Sequence, residues 1–376
     1  MVKTILSQIT LIALLAVSTA TACLAHDMIP APWRGTTGAT YQEWRFNTSA
    51  NPAAPENVSN IYGSCGAVMN VGPFGEGWVS QLPGFGNQSG FWDLGSAGTI
   101  GFSVASNPLP PVGTKGWVSV QVTYFRDITQ APVVNVPGAT RIKGETRVVE
   151  TPSTGGQWLL DQSYWRYLIY PAPVGVTLTS AIGIGADVDQ VVVESVCIPQ
   201  MNAVSTTKQL PDHSAVELSG PIVTRVFESF FYVQDPRWTG GIRVNCSGPL
   251  PTEGGTPTVL GTVETLDGER VIANAVVYGD THTAPLKPVT MNLTAPMCGL
   301  NPAGLLARLY GWAQVPSPGS TVFTLDDGSP NPVRVELHGV SAPGDGKYVV
   351  VTGAIGADTS GPVLRVNQSD TIQEYQ

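Results

Sequence analysis

The chain has 376 residues, only 12% of them charged, and a net charge of −9. That length exceeds one comfortable core, and the acidic balance argues against a polyanionic partner. Its 42 glycines and 31 prolines, with abundant Val, Thr and Ser, exclude a long-helix architecture and predict an almost all-β protein of short strands and tight turns.

The opening MVKTILSQITLIALLAVSTATACLAHD sets Lys3 before an apolar run from Ile9 to Val17 and then small residues. Residues 1–25 therefore read as a secretory signal peptide. The run is too short to cross a bilayer and no later segment reaches eighteen apolar residues, so no transmembrane helix is expected. The mature chain is expected to be secreted or at the cell surface. Cleavage after Ala22 or Ala25 both fit, and Cys23 is a candidate lipid-anchor residue. If Cys23 leaves with the signal, Cys65, Cys197, Cys246 and Cys298 remain, an even number that suggests disulfides in an exported chain. One bond in each half, Cys65 with Cys197 and Cys246 with Cys298, fits the positions. The other two pairings stay open.

Residues 27–202 read as a series of alternating strands: 41–46, 99–104, 116–125, 145–150, 158–160, 165–170 and 190–198. In WVSVQVTYF, Val118, Val120, Val122 and Tyr124 share one face. ADVDQVVVESVCIP predicts a last strand buried on both sides. Such a set implies a two-sheet sandwich of jelly-roll type. From Met201 to Asp212 the text turns polar and the period is lost, which places a boundary there.

A repeat follows. Phe231 to Asp235 aligns with Val322 to Asp326, and Ile242-Arg243-Val244 with Val333-Arg334-Val335, at an offset of 91 in both places. It continues, one residue out of step, from Val259–Val263 to Val351–Ile355. A period this long implies two small tandem domains, 203–298 and 299–376, since solenoid units are far shorter. Each offers about five strands, with Gly261 and Gly353 in mid-strand where a closing barrel coils sharply. LPDHSAVELSGPIVTRVFESFFYVQDPRWTGGIRV with VLGTVETLDGERVI, and GSTVFTLDDGSPNPVRVELHG with YVVVTGAIG, resemble the tandem OB-fold-like modules of uncharacterised exported bacterial proteins, which often stand behind a β-sandwich. The resemblance implies OB-like five-stranded barrels and says little of function, because such barrels serve many ligands.

The candidate chemistry narrows by elimination. Residues 203–376 hold ten basic against sixteen acidic side chains, a net charge of −6, which disfavours a nucleic-acid groove. Arg243 and Arg334 are expected to be solvated or to pair with the turn carboxylates Asp235 and Asp326. Asp326-Asp327-Gly328-Ser329 reads as a tight turn, and Asp187 and Asp189 as solvated edge residues. His26, His213, His282 and His338 stand at no metal-ligand spacing, and no CxxC, GxSxG or phosphate loop occurs, so neither a metal, a cofactor nor a catalytic set is expected. Seven of nine tryptophans lie before residue 203. Trp44 and Trp117 alternate within strands as core residues do, whereas Trp78 and Trp92 stand in Gly-rich, turn-prone text and are the ligand-facing candidates there. Trp238, in a turn that has no aromatic in the second copy, is a third. The leading expectation is a non-enzymatic exported binding or adhesion protein whose sandwich takes a polysaccharide or a cell-surface protein. The alternatives are a secreted carbohydrate-active enzyme with accessory barrels, its carboxylate pair drawn from distant strands, or a nucleic-acid-binding OB protein.

Overall fold

A computed structural model describes residues 27–81, 84, 86, 90–127, 129–297 and 302–375. The signal-like segment with Cys23, and Cys298, lie outside the described residues.

The sandwich is built from β1 Thr40–Trp44, β2 Asn57–Ser59, β3 Cys65–Asn70, β4 Gly77–Val79, β5 Phe91–Asp93 and β6 Thr99–Val104. It continues with β7 Thr114–Arg126, β8 Val133–Asn135, β9 Ala139–Glu150, β10 Gln157–Tyr167, β11 Val174–Thr179 and β12 Asp187–Met201. One sheet runs β2-β1-β12-β7-β10-β9, with β5 on the end of β12 and β4 on β5, and the other runs β3-β6-β11-β8. Between them lies a core that includes Trp44, Phe102, Val120, Val122, Val191, Val193 and Leu178. β12 is buried on both faces along most of its length, as its unbroken apolar text requires. The segments 158–160 and 165–167 prove to be parts of one strand, β10, because Asp161, Gln162 and Ser163 keep the pairing with β7 although they are polar, and the strand ends at Tyr167, short of the expected 170.

A single-turn helix, α1 Val204–Thr207, precedes the first barrel. Its strands are β13 Ser214–Leu218, β14 Ile222–Val226, β15 Phe230–Gln234, β16 Gly241–Asn245, β17 Thr258–Leu266 and β18 Glu269–Tyr278. The order β14-β15-β16-β18-β17-β13 makes β13 and β14 two halves of one entry strand, broken at Ser219-Gly220-Pro221, that pairs β17 on one side and β15 on the other. β16 runs parallel to β18, the signature of an OB-like ring. The second barrel comprises β19 Val289–Thr290, β20 Leu306–Gln314, β21 Val322–Asp326, β22 Val333–Leu337, β23 Tyr348–Asp358, β24 Gly361–Val366 and β25 Ile372–Tyr375. It closes by pairing β20 with both β21 and β23, and β22 runs parallel to β24. The two mid-strand glycines mark the tight coiling. A Cβ on Gly261 would fall 2.4 Å from Ile272 Cγ2, and one on Gly353 would fall 2.6 Å from the Arg365 carbonyl oxygen.

The bodies are locked by buried polar groups. β12 pairs with β13 at Gln200 and Met201. Trp33, Trp117, Tyr164 and Ile198 pack against Leu260 of the first barrel, and Glu217, 1% exposed, accepts from Trp117 Nε1 at 3.0 Å and meets Arg166 at 2.9 Å. Between the barrels Glu269 accepts from the Tyr232 hydroxyl at 2.8 Å, from Arg365 at 2.8 Å and from Arg243 at 3.2 Å. Arg365 also reaches Glu336 at 3.1 Å, and Arg225 reaches Asp370 at 2.5 Å.

Several sequence expectations are corrected here. Arg243 pairs with Glu269, and Arg334 with Glu336 and Asp358, in place of Asp235 and Asp326. The turn carboxylates are engaged elsewhere: Asp235 accepts from Val204 N at 2.9 Å and Thr239 Oγ1 at 2.8 Å, and Asp326 from Gly328 N at 2.8 Å and Gln314 Nε2 at 3.0 Å. Asp189 is 2% exposed, so it is no solvated edge residue. Cys65, Cys197 and Cys246 are free thiols, and the expected Cys65–Cys197 bridge is not formed. Cys65 takes a hydrogen bond from Asn60 Nδ2 at 3.3 Å in the small sheet. Cys197 lies in the large sheet opposite Gly116, and the Tyr170 ring packs on that glycine. Burial pushes the Cys197 thiol up to about 11. Cys246 is a buried free thiol that donates to the Gly248 carbonyl, and its expected partner, Cys298, lies outside the described residues.

Candidate functional site at the sandwich tip

β12 sets the geometry. It begins at Asp187 and ends at Met201, a run of about 45 Å at the rise of an extended strand. The first barrel joins at the Met201 end, so the loops around Asp187 form the remote tip of the sandwich.

Phe74, in the loop from β3 to β4, is 93% exposed and holds φ at +68°. A bulky residue in that backbone region costs on the order of 1–3 kcal/mol, and such strain persists only where the surroundings impose it. Here they do. Gly72 N donates to the Leu94 carbonyl at 2.9 Å and Ser96 N to the Pro73 carbonyl at 2.8 Å. Gly75 and Gly95 are in backbone contact, so that a Cβ on Gly95 would fall 2.3 Å from Gly75 N. The ring therefore stands in water on a fixed base.

Beside it opens a cleft of about 290 Å³, walled by Asp93, Asp127, Asp187, Ser96, Thr129 and Ile184 among others, with no Lys, Arg or His among the described residues that line it. Asp93 and Asp187 are cross-strand partners, close enough for their carboxylates to repel. Their surroundings differ. Asp93 accepts from Glu76 N and Gly95 N, both at 2.9 Å. Burial, and then the charges of Asp93 and Glu76, push the Asp187 carboxyl up to about 7. The cleft thus offers hydroxyl-accepting oxygens, one carboxyl that carries a proton near neutrality, and an aromatic face at the rim. Among the described residues no group of three His, Cys, Asp or Glu is placed to hold a metal ion.

The tryptophans are distributed otherwise than their text suggests. Trp92, expected to face a ligand, is 6% exposed and lies in the core with Trp44 and Leu94. The strand β5 turns it inward while its neighbour Asp93 points to the cleft. Trp78 pairs across from Trp92, packs on the same core and donates its indole N–H to the Phe46 carbonyl at 2.7 Å. Both are anchors under the tip. Trp238 is 46% exposed, as its turn implies, and donates to the Lys287 carbonyl at 3.0 Å, far along the chain from the tip cleft. Sequence reasoning missed Phe74 and Asp93. The signal was the glycine-flanked GPFGEG, where a phenylalanine has no strand to belong to.

The fold and site together define an all-β protein of a jelly-roll sandwich and two OB-like barrels with a recessed acidic cleft at its free end. No family model and no curated protein matches the chain. Among solved structures it is similar, at 13% identity and a TM-score of 0.22, to the crystal structure of the Ifi202 HINa domain in complex with 20 bp dsDNA, over 43% of this chain and 100% of that one. A likeness that distant carries no argument.

Proposed function

We propose that the sandwich tip is a glycan-binding site, and that the chain is an exported binding or adhesion protein in which the two barrels form a stalk. The observation that carries this reading is Phe74: a water-exposed ring, held in a strained backbone on rigid loops, beside a cleft of oxygen acceptors. Sugar rings stack an apolar face on such a ring and give their hydroxyl hydrogens to carboxylates. A rigid base lowers the ordering cost of binding. The cleft has room for one sugar unit. A glycan array probed with the full chain tests it, and the Phe74→Ala chain is the control that should lose the signal.

A second reading is favoured by one observation. Asp187 and Asp93 sit side by side, and burial together with the neighbouring charges raises the Asp187 carboxyl to about 7, as a proton-donating carboxyl beside a second one requires. The pair would make the tip a glycoside-cleaving site. Incubation of the array-positive glycan with the full chain separates the two: new reducing ends, lost in Asp187→Asn, support cleavage, and an unchanged glycan supports binding alone.

A further inference from the structure

A second cleft, of about 480 Å³, lies where the sandwich, the first barrel and the segment 28–34 meet. That segment crosses the outer face of the large sheet. Ala31 N donates to Glu194 at 3.0 Å, Gln162 Nε2 donates to the Ile29 carbonyl at 2.7 Å, and the Pro32 carbonyl accepts from Thr262 of the barrel at 2.5 Å. The cleft is therefore walled by three separate parts of the chain.

Its cations are not equivalent. Arg34 is committed to Glu194 and Asp27. Arg147 stands 3.5 Å from Glu145. Lys143, two residues from Glu145 on the same face of β9, has among the described residues only a neutral partner, the Val277 carbonyl at 3.3 Å. An ammonium in no ion pair at the wall of a cleft, whose neighbouring carboxylate Glu145 is taken by Arg147, is a place for an anion.

The opposite wall carries an independent sign. Asn274 lies inside β18 yet holds φ at +52° and is exposed. The ladder shifts here: Leu260 pairs with Val276 and Thr262 with Ala273, so Asn274 and Ala275 together oppose Gly261. Such a bulge re-aims a side chain out of the sheet, and Asn274 lines the cleft. Its amide can donate to the oxygen that Lys143 attracts.

We propose that this junction cleft binds a small carboxylate-bearing ligand, a sugar acid or a compound of similar size, with Lys143 taking the carboxylate and Asn274 a second oxygen. The site is independent of the tip. Calorimetric titration of the full chain with sodium glucuronate, and with glucose as the neutral match, tests it. Glucuronate should bind with a Kd on the order of 1 mM or tighter and glucose should not. Lys143→Met should weaken glucuronate at least tenfold. Asn274→Gly, which relieves the positive φ and so keeps the fold, should weaken it severalfold. Phe74→Ala should leave it unchanged. Equal binding of glucose, no binding of glucuronate by the folded chain, or full binding by both Lys143→Met and Asn274→Gly would overturn the proposal.

Discussion

Glu269 is where the account of the barrels is most exposed to test. It is 2% exposed and accepts from Tyr232, Arg243 and Arg365 at once. Glu269→Leu keeps the volume and removes the charge. Arg365, 7% exposed, then retains Glu336 at 3.1 Å as its one carboxylate partner among the described residues, beside the neutral Tyr232 hydroxyl and Ala357 carbonyl, and the Tyr232 hydroxyl loses its acceptor. Removing one partner from a buried pair costs about 3–5 kcal/mol; the surviving Glu336 contact puts the loss at the lower end, about 3 kcal/mol. With a urea slope of about 2–3 kcal/mol/M the midpoint of the barrel transition should fall by about 1 M. Glu269→Leu with Arg365→Met removes both charges and should recover at least half of that fall. If Glu269→Leu moves the midpoint by less than about 0.3 M, or the double variant is as weak as the single one, the network does not hold the barrels as described.

Three further outcomes follow from the same structure. Asp187 is held up to about 7 in the folded chain and titrates near 4 when unfolded; the folded state then binds the extra proton, so its contribution to stability is full below about pH 4 and is lost as pH rises towards 7. Asp187→Asn should flatten that slope in thermal melts between those limits. Gly353→Ala places a Cβ against the Arg365 carbonyl and should lower stability by about 1–3 kcal/mol in urea unfolding. Trp92→Ala should cost about 3–5 kcal/mol as a core deletion, whereas Trp238→Ala, in an exposed turn, should cost less than about 1 kcal/mol; equal losses would show that one of the two is misplaced.

The barrels were legible because the chain writes them twice. Phe231 to Gln234 and Val322 to Leu325 fall on β15 and β21 at the offset the text shows, and the arginine strands fall on β16 and β22. The split of the first entry strand was not legible, since nothing in Ser214 to Leu218 shows the strand, β17, with which it pairs. In the sandwich β7 is legible from its alternation and β12 from its unbroken apolar run, whereas the polar Asp161 to Ser163 hide the continuity of β10. β4, β5 and β8 are three residues each, too short for a period to register. At the tip the sequence signal lies one residue from the site: Trp92 is the larger side chain, but the parity of β5 sends it into the core and Asp93 to the cleft. Phe74 was hidden because exposure of an aromatic depends on loops from Leu94 and Ser96 that lie twenty residues away. The free thiols have a similar cause, since one-per-half pairing takes no account of which side chain packs between two sheets.

The most direct test of the proposed function is a glycan array probed at neutral pH with the full chain and its Phe74→Ala and Trp238→Ala variants. The account predicts a defined set of bound glycans, lost in Phe74→Ala and retained in Trp238→Ala. A blank array for the folded parent chain, or binding that Phe74→Ala leaves intact, would contradict it.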